Sequence, residues 1–219
     1  MNVSLTQQYL LCALDDKGAF ASKEAAATLP VVAMYELVSD GYLHLSEDGT
    51  ELRPSAEPTK KQADLLTCYT YVEERRVVNV QKFIEHFSGK GDGAASFLAA
   101  VADPLRDEGL IKAAKNQVVF VPAPTARKQM VDTIEKALDG KGEMTRDVAA
   151  LLTFVLGAGL LDKLFNREAR RNLERVLKDG KWDTFRFATT PAGKDTFLSV
   201  HQDIEKRYAP MVRYFVANN

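Results

Sequence analysis

Apolar residues recur along most of the chain at spacings of three and four, the period of helices that bury one face. Ser4 followed by Gln7 is a capping-box start, and Leu10, Ala13 and Leu14 then share a face before an Asp15-Asp16-Lys17-Gly18 turn. Thr28 with Pro30 two positions later predicts a second helix start, running through Val31, Met34, Tyr35 and Val38 to a stop at Gly41. Tyr42-Leu43-His44-Leu45, a Ser-Glu-Asp-Gly turn and Glu51-Leu52-Arg53 predict a short β-hairpin. From Thr59 the pattern turns helical again, with Leu65, Leu66, Tyr69 and Val72 on one face and Val80, Phe83, Ile84 and Phe87 on another. Gly89-Lys90-Gly91-Asp92-Gly93 is a break, and the following helix carries Phe97, Leu98, Val101 and Leu105, with Pro104 expected to kink it, ending at Gly109.

Leu110-Ile111, a polar turn around Lys115-Asn116, and Val118-Val119-Phe120-Val121 closed by Pro122 form a second helix–glycine–hairpin unit. Glu36 to Leu43 aligns with Pro104 to Ile111, which reads as one local solution used twice rather than a solenoid repeat. Further on, Thr125 is expected to cap a helix with Met130, Ile134, Ala137 and Leu138 inward, and Thr145 one that runs through Leu161. Asn166 opens a segment with Ala169, Leu173, Val176 and Leu177 inward, Trp182 to Thr189 reads as a strand, and Phe197, Val200, Ile204, Tyr208 and Met211 mark a last helix. The expected fold is mainly α: one globular multi-helix domain over residues 1–219 with two or three short β-hairpins.

Composition changes this picture little. With 219 residues, 46% of them apolar, the chain is long enough to bury a substantial core. Cys12 and Cys68 are far apart and have no metal-type spacing, so neither a disulfide framework nor a zinc site is expected. The opening residues read as a helix rather than a signal peptide. The longest apolar run, Val148 to Leu161, is too short to cross a bilayer of about 30 Å and is expected to be a buried core helix. A cytoplasmic protein is therefore expected, with any membrane contact made from the outside.

Charge is more informative. The formal net charge of -1 argues against coating nucleic acid by bulk electrostatics. It is a sum of opposites: the first 57 residues hold nine acidic side chains against three basic ones (Lys17, Lys23, Arg53), a net of -6. Between Lys163 and Lys178 six basic residues face two acidic ones, and Arg167, Arg171, Arg175 and Lys178 recur at spacings that line one helix face. Such a stripe suits either a solvated outer face or a contact with phosphate or an anionic bilayer.

Catalytic motifs are missing. The sequence has no Gly-x-Ser-x-Gly, no His-Glu-x-x-His and no phosphate loop ending in Gly-Lys-Ser/Thr. The Gly89 to Gly93 stretch follows a helix where a phosphate loop needs a strand, and reads as a surface loop. His44, His86 and His201 are isolated in sequence, and Asp15-Asp16 is turn chemistry. No enzyme activity, cofactor or metal is expected; a pocket holding His86 or His201 against a carboxylate would revive an enzymatic reading.

Several segments, in order, resemble the Golgi phosphoprotein 3-like family. They are Leu5-Thr6 with Tyr9-Leu10-Leu11, Ala13-Leu14-Asp15-Asp16 and Gly18; Glu36-Leu37 with Gly41-Tyr42-Leu43-His44-Leu45; Phe83-Ile84-Glu85-His86-Phe87-Ser88-Gly89; Leu105 to Ile111; and Met144-Thr145-Arg146-Asp147 followed by Ala149-Ala150-Leu151-Leu152. The resemblance covers roughly residues 5 to 165 and suggests a bacterial-type member. It implies a helical fold whose protruding hairpin, ending Val118-Val119-Phe120-Val121, contacts the membrane. It also implies peripheral membrane binding through phosphatidylinositol 4-phosphate and, in eukaryotes, an adaptor role retaining Golgi glycosyltransferases. The tryptophan and three arginines of the eukaryotic lipid site fall at Ala21, Pro30, Ala95 and Leu98 here, leaving Lys23 and Lys90 as the nearest basic candidates for a headgroup.

The expectation is therefore a non-enzymatic peripheral membrane or adaptor protein whose partners are an anionic membrane surface or phosphoinositide and other proteins. The alternative is a winged-helix-like DNA-binding regulator, suggested by the two helix–glycine–hairpin units and by Phe187 to Lys194, which resembles a wing-closing stretch.

Overall fold

The computed structural model describes residues 3–58, 60–89, 91–113, 120–171 and 191–218. Ser4 caps the first helix as its sequence requires: its hydroxyl accepts from the Gln7 N–H, and the Gln7 side chain accepts from the Ser4 N–H. This helix, α1 (Leu5–Ala13), is buried on nearly every side, from Leu5 and Thr6 through Tyr9 to Ala13. Its buried polar residues are bonded, Thr6 to Glu36 and Gln7 to the Val101 carbonyl, and α1 packs against α2 (Lys23–Ser39), α5 (Asp92–Asp107), α6 (Pro124–Leu138) and α7 (Arg146–Gly157). The long apolar run becomes α7, capped by Thr145 and buried from Val148 to Val155, but the helix ends at Gly157 rather than running through Leu161, because Gly159 turns the chain at φ +67°.

Edge-to-face rings tie these central helices together, with Phe154 of α7 meeting Tyr9 of α1 at 6.5 Å and Tyr35 of α2 at 5.5 Å. Tyr35 in turn meets Tyr208 at 5.3 Å. Tyr208 sits between the last two helices, α9 (Pro191–Arg207) and α10 (Ala209–Asn218). A single last helix was expected there; instead Tyr208 separates two.

The two helix–glycine–hairpin units are real and share their chemistry. After α2 the N–H of Gly41 bonds the Val38 carbonyl and that of Tyr42 the Leu37 carbonyl; after α5 Gly109 and Leu110 repeat the pattern on Arg106 and Leu105. Both glycines have positive φ, +80° and +71°, which a side chain would oppose. The first unit continues into β1 (Leu43–Leu45) and β2 (Glu51–Pro54), the second into β4 (Ile111–Ala113) and β5 (Phe120–Pro122). Leu43, Leu45 and Leu52 face the core while His44 and Arg53 face outward.

Four expectations need correction. The second helix begins at Lys23, capped by Ser22, so Pro30 lies inside it rather than at its start, and the Thr28 hydroxyl bonds back to the Glu24 carbonyl. The region after Thr59 is not one helical pattern: a 3₁₀ turn (Lys60–Leu65) leads into α3 (Leu66–Arg75), and β3 (Val78–Asn79) pairs with β2 before α4 (Val80–Ser88). Arg76 reverses the chain between them at φ 64°, a conformation its composition did not announce. Asp92 and Gly93 form the first turn of α5 rather than a loop. Pro124 occupies the first turn of α6 behind Ala123, so Thr125 is not its cap.

Asn166 does open a helical stretch at 167–171, its side chain accepting from the N–H groups of Glu168 and Ala169. The expected inward face at Leu173, Val176 and Leu177 and the strand at Trp182 to Thr189 lie outside the described residues.

Candidate functional site

The loop from α1 to α2 gathers features that lie far apart in the sequence. Asp15 builds it: its carboxylate accepts from the N–H groups of Lys17 (2.8 Å) and Ala19 (2.9 Å), and its own N–H donates to the Ala19 carbonyl. The bonds from Ala19 and Lys17, with the charges of Lys17 and Lys163, hold the Asp15 carboxyl below its usual range. Arg127 of α6 clamps the other side, its guanidinium donating to the Leu11 and Leu14 carbonyls at the end of α1 and to the Asp16 carboxylate at 2.6 Å.

Lys163, on α8 (Leu161–Leu164), donates from Nζ to the carbonyl of Ala21 at 2.9 Å. The basic segment and the start of α2, 142 residues apart in sequence, thus meet. Lys23 is exposed at the first position of α2, and Arg167 and Arg171 are exposed on the stretch that follows α8. Arg170, between them, is half-buried and pairs with Asp162 at 2.6 Å. Arg175, Lys178 and Lys90 lie outside the described residues.

A second polar site was not foreseen. The N-terminus of α1 opens onto a cavity of 430 Å³ lined by Glu36, Asp40, Asp64, Glu108, Arg146 and Asp147 among others. Glu36 reaches from α2 to accept from the Leu5 N–H (3.1 Å), the Thr6 N–H (2.9 Å) and the Thr6 hydroxyl (2.8 Å). Asp64 accepts from the capping Ser4 hydroxyl at 2.6 Å. Burial, against these hydrogen bonds, pushes the Glu36 carboxyl up to about 7, and burial raises Asp64 as well. Arg146 donates to the Tyr35 hydroxyl (3.3 Å) and the Ser39 carbonyl (3.4 Å). Glu36 and Asp64 anchor the start of α1 to α2 and the 3₁₀ turn, and Arg146 ties α7 to α2. Only the Ser4–Gln7 cap signalled it, because Glu36 is one unremarkable acid in an apolar helix.

The model for the family described as Golgi phosphoprotein 3 (GPP34) matches residues 5–192. The chain belongs to the Golgi phosphoprotein 3 (GPP34) family. No curated protein matches it.

Within this GPP34 fold the four positions at which the resemblance puts the eukaryotic lipid site have distinct settings. Ala21 is half-buried in the bend before α2, Pro30 is buried inside α2, and on α5 Ala95 is exposed and Leu98 half-buried against the core. None of the four side chains has a hydrogen-bond donor for a phosphate. Of the expected membrane-contacting hairpin, Val118 and Val119 lie outside the described residues; Phe120 is only 5% exposed and packs into the core, and Val121 is half-buried.

Two of the histidines, His86 and His201, pack against aromatic rings, and His86 also lines an open hollow of 570 Å³ with Glu74 and Asp92. His86 stacks on Tyr71 at 4.3 Å, with the Arg75 guanidinium 3.9 Å over the Tyr71 ring. His201 stacks on Phe197 and has Nδ1 3.4 Å from the Thr153 hydroxyl. Burial lowers the affinity of both rings for a proton. Of the winged-helix resemblance, Phe187 to Thr190 lie outside the described residues, while Pro191 to Lys194 form the first turn of α9.

Proposed function

We propose that this GPP34 protein is a non-enzymatic peripheral membrane or adaptor protein that meets an anionic bilayer through general charge attraction rather than through the family's eukaryotic lipid-site positions. The surface concerned carries Lys23, Lys163, Arg167 and Arg171. The observation that carries the reading is the bond from Lys163 to the Ala21 carbonyl, which brings the basic segment to the loop where one of those positions lies. Charges presented together add, at about 1 kcal/mol for each Lys or Arg near an anionic surface.

Vesicle flotation tests this reading. The full chain is expected to float with vesicles of mixed neutral and anionic phospholipid at low ionic strength and to be released at high ionic strength. Adding phosphatidylinositol 4-phosphate at constant total charge should change little. Arg167→Gln with Arg171→Gln removes two exposed charges and should weaken binding about 30-fold. Absence of binding to every anionic vesicle at low salt overturns the proposal, as does salt-resistant binding that requires phosphatidylinositol 4-phosphate. A shift of genomic DNA fragments by the same chain, without vesicle binding, favours the regulator instead.

A further inference from the structure

A second cavity, of 270 Å³, lies between α2, α7, α9 and α10, away from the α1 end. Its floor is Thr28, Thr153, Phe154, Ile204 and Val212, all buried. The two threonine hydroxyls are already committed to backbone carbonyls, Thr28 to Glu24 (2.7 Å) and Thr153 to Ala149 (2.9 Å), so the floor offers an entering molecule mainly apolar surface. The volume has room for about nine groups the size of a water or methylene, at roughly 30 Å³ each.

Charge is confined to the rim, at Glu24, Glu205 and Arg213. Arg213 pairs with Glu205 at 3.7 Å, and the exposed Glu24 carboxylate has no ion pair among the described residues. The rim therefore carries one negative charge in excess.

A glycine keeps the mouth open. Gly157 lines the cavity as the last residue of α7, and a Cβ built there meets nothing within 4 Å. Its backbone has no left-handed φ to require glycine; the chain reversal is made two residues later at Gly159, with φ +67°.

We propose that this cavity binds a small amphiphilic amine, its apolar body on the Phe154, Ile204 and Val212 floor and its ammonium at the Glu24 and Glu205 carboxylates. The site is independent of the membrane reading above.

Calorimetric titration of the full chain with n-alkylamines, n-alkanols and n-alkanoates tests it. From butylamine to dodecylamine each added methylene should tighten binding about fourfold until the gain ends near nine carbons. Octylamine should bind about tenfold more tightly than octanoate. Glu24→Gln with Glu205→Gln leaves Arg213 alone at the rim and should invert that preference. Gly157→Leu should abolish binding, while Gly157→Ala, which clears every neighbour, retains it and serves as the control for folding. Three results each overturn the proposal: no binding by any member of the series, octanoate binding as well as octylamine to the unaltered chain, or Gly157→Leu binding with unchanged affinity while folded.

Discussion

Glu36 makes the stability of this protein depend on pH in a direction opposite to that of a salt-bridged carboxylate. In the fold its carboxyl is pushed from an ordinary 4.5 to about 7, chiefly by burial, with Asp64 nearby adding in the same direction. Below the ordinary value the group is protonated in both folded and unfolded chains, and its contribution is fully present. As the pH rises the unfolded chain releases the proton first, so the contribution is lost progressively until the folded pKa near 7 is passed. At about 1.4 kcal/mol for each pH unit of separation, the loss is roughly 3 kcal/mol. Asp64, raised by burial, adds a loss of the same sign that begins at more acidic pH. The other charges lining that cavity are Asp40 just after α2, Glu108 after α5, and Arg146 and Asp147 on α7. Glu36→Gln removes the titration but turns an amide N–H₂ toward one of the three donors from Leu5 and Thr6, at a cost of about 1–2 kcal/mol. Urea unfolding at pH 5, 6, 7 and 8 should find the variant less stable at pH 5, with the two stabilities converging or crossing by pH 8. His86 and His201, whose lowered proton affinity gives the opposite slope, are present in both proteins and cancel in the difference. Parallel stability curves for the two proteins would refute the reasoning and show that the three hydrogen bonds, not burial, dominate at Glu36.

Two other perturbations follow from the packing. Arg127→Ala releases the Leu11 and Leu14 carbonyls and the Asp16 carboxylate, and should cost about 2 kcal/mol in urea unfolding, with amide exchange speeding up at the end of α1 and in the loop after it; equal exchange in both proteins contradicts the clamp. Gly93→Ala puts a Cβ 2.2 Å from Nε2 of His86, so the ring must leave its stack on Tyr71. The expected cost is about 1–3 kcal/mol, and the His86 pKa, read by NMR, should move up toward the ordinary histidine value; the additional change His86→Ala should recover most of the stability.

Much of the fold is written locally. The Ser4–Gln7 box, the Thr145 cap, the stops at Gly41 and Gly109 and the apolar run of α7 are each short-range signals, because a cap or a left-handed turn needs only residues within one turn of each other. Where a short-range signal competed with burial, burial prevailed: Pro30 reads as a helix start, yet it lies within α2 among residues buried on every side. β3 was illegible because two residues carry no period, and only their pairing with Glu51 and Leu52 makes them a strand.

The sites follow the same division. Charge counting along the chain located the basic segment and the acidic first quarter, and the family resemblance supplied the poor match at the lipid-site positions. Tertiary structure alone decided that Lys163 touches Ala21, that Arg127 closes α1 from more than a hundred residues away, and that Glu36 and Asp64 converge on one helix end. The reason is physical. Helix and turn formation depend on neighbours in the chain, whereas burial, which sets both the carboxyl chemistry of Glu36 and the emptiness beside Gly157, exists only once the helices have packed.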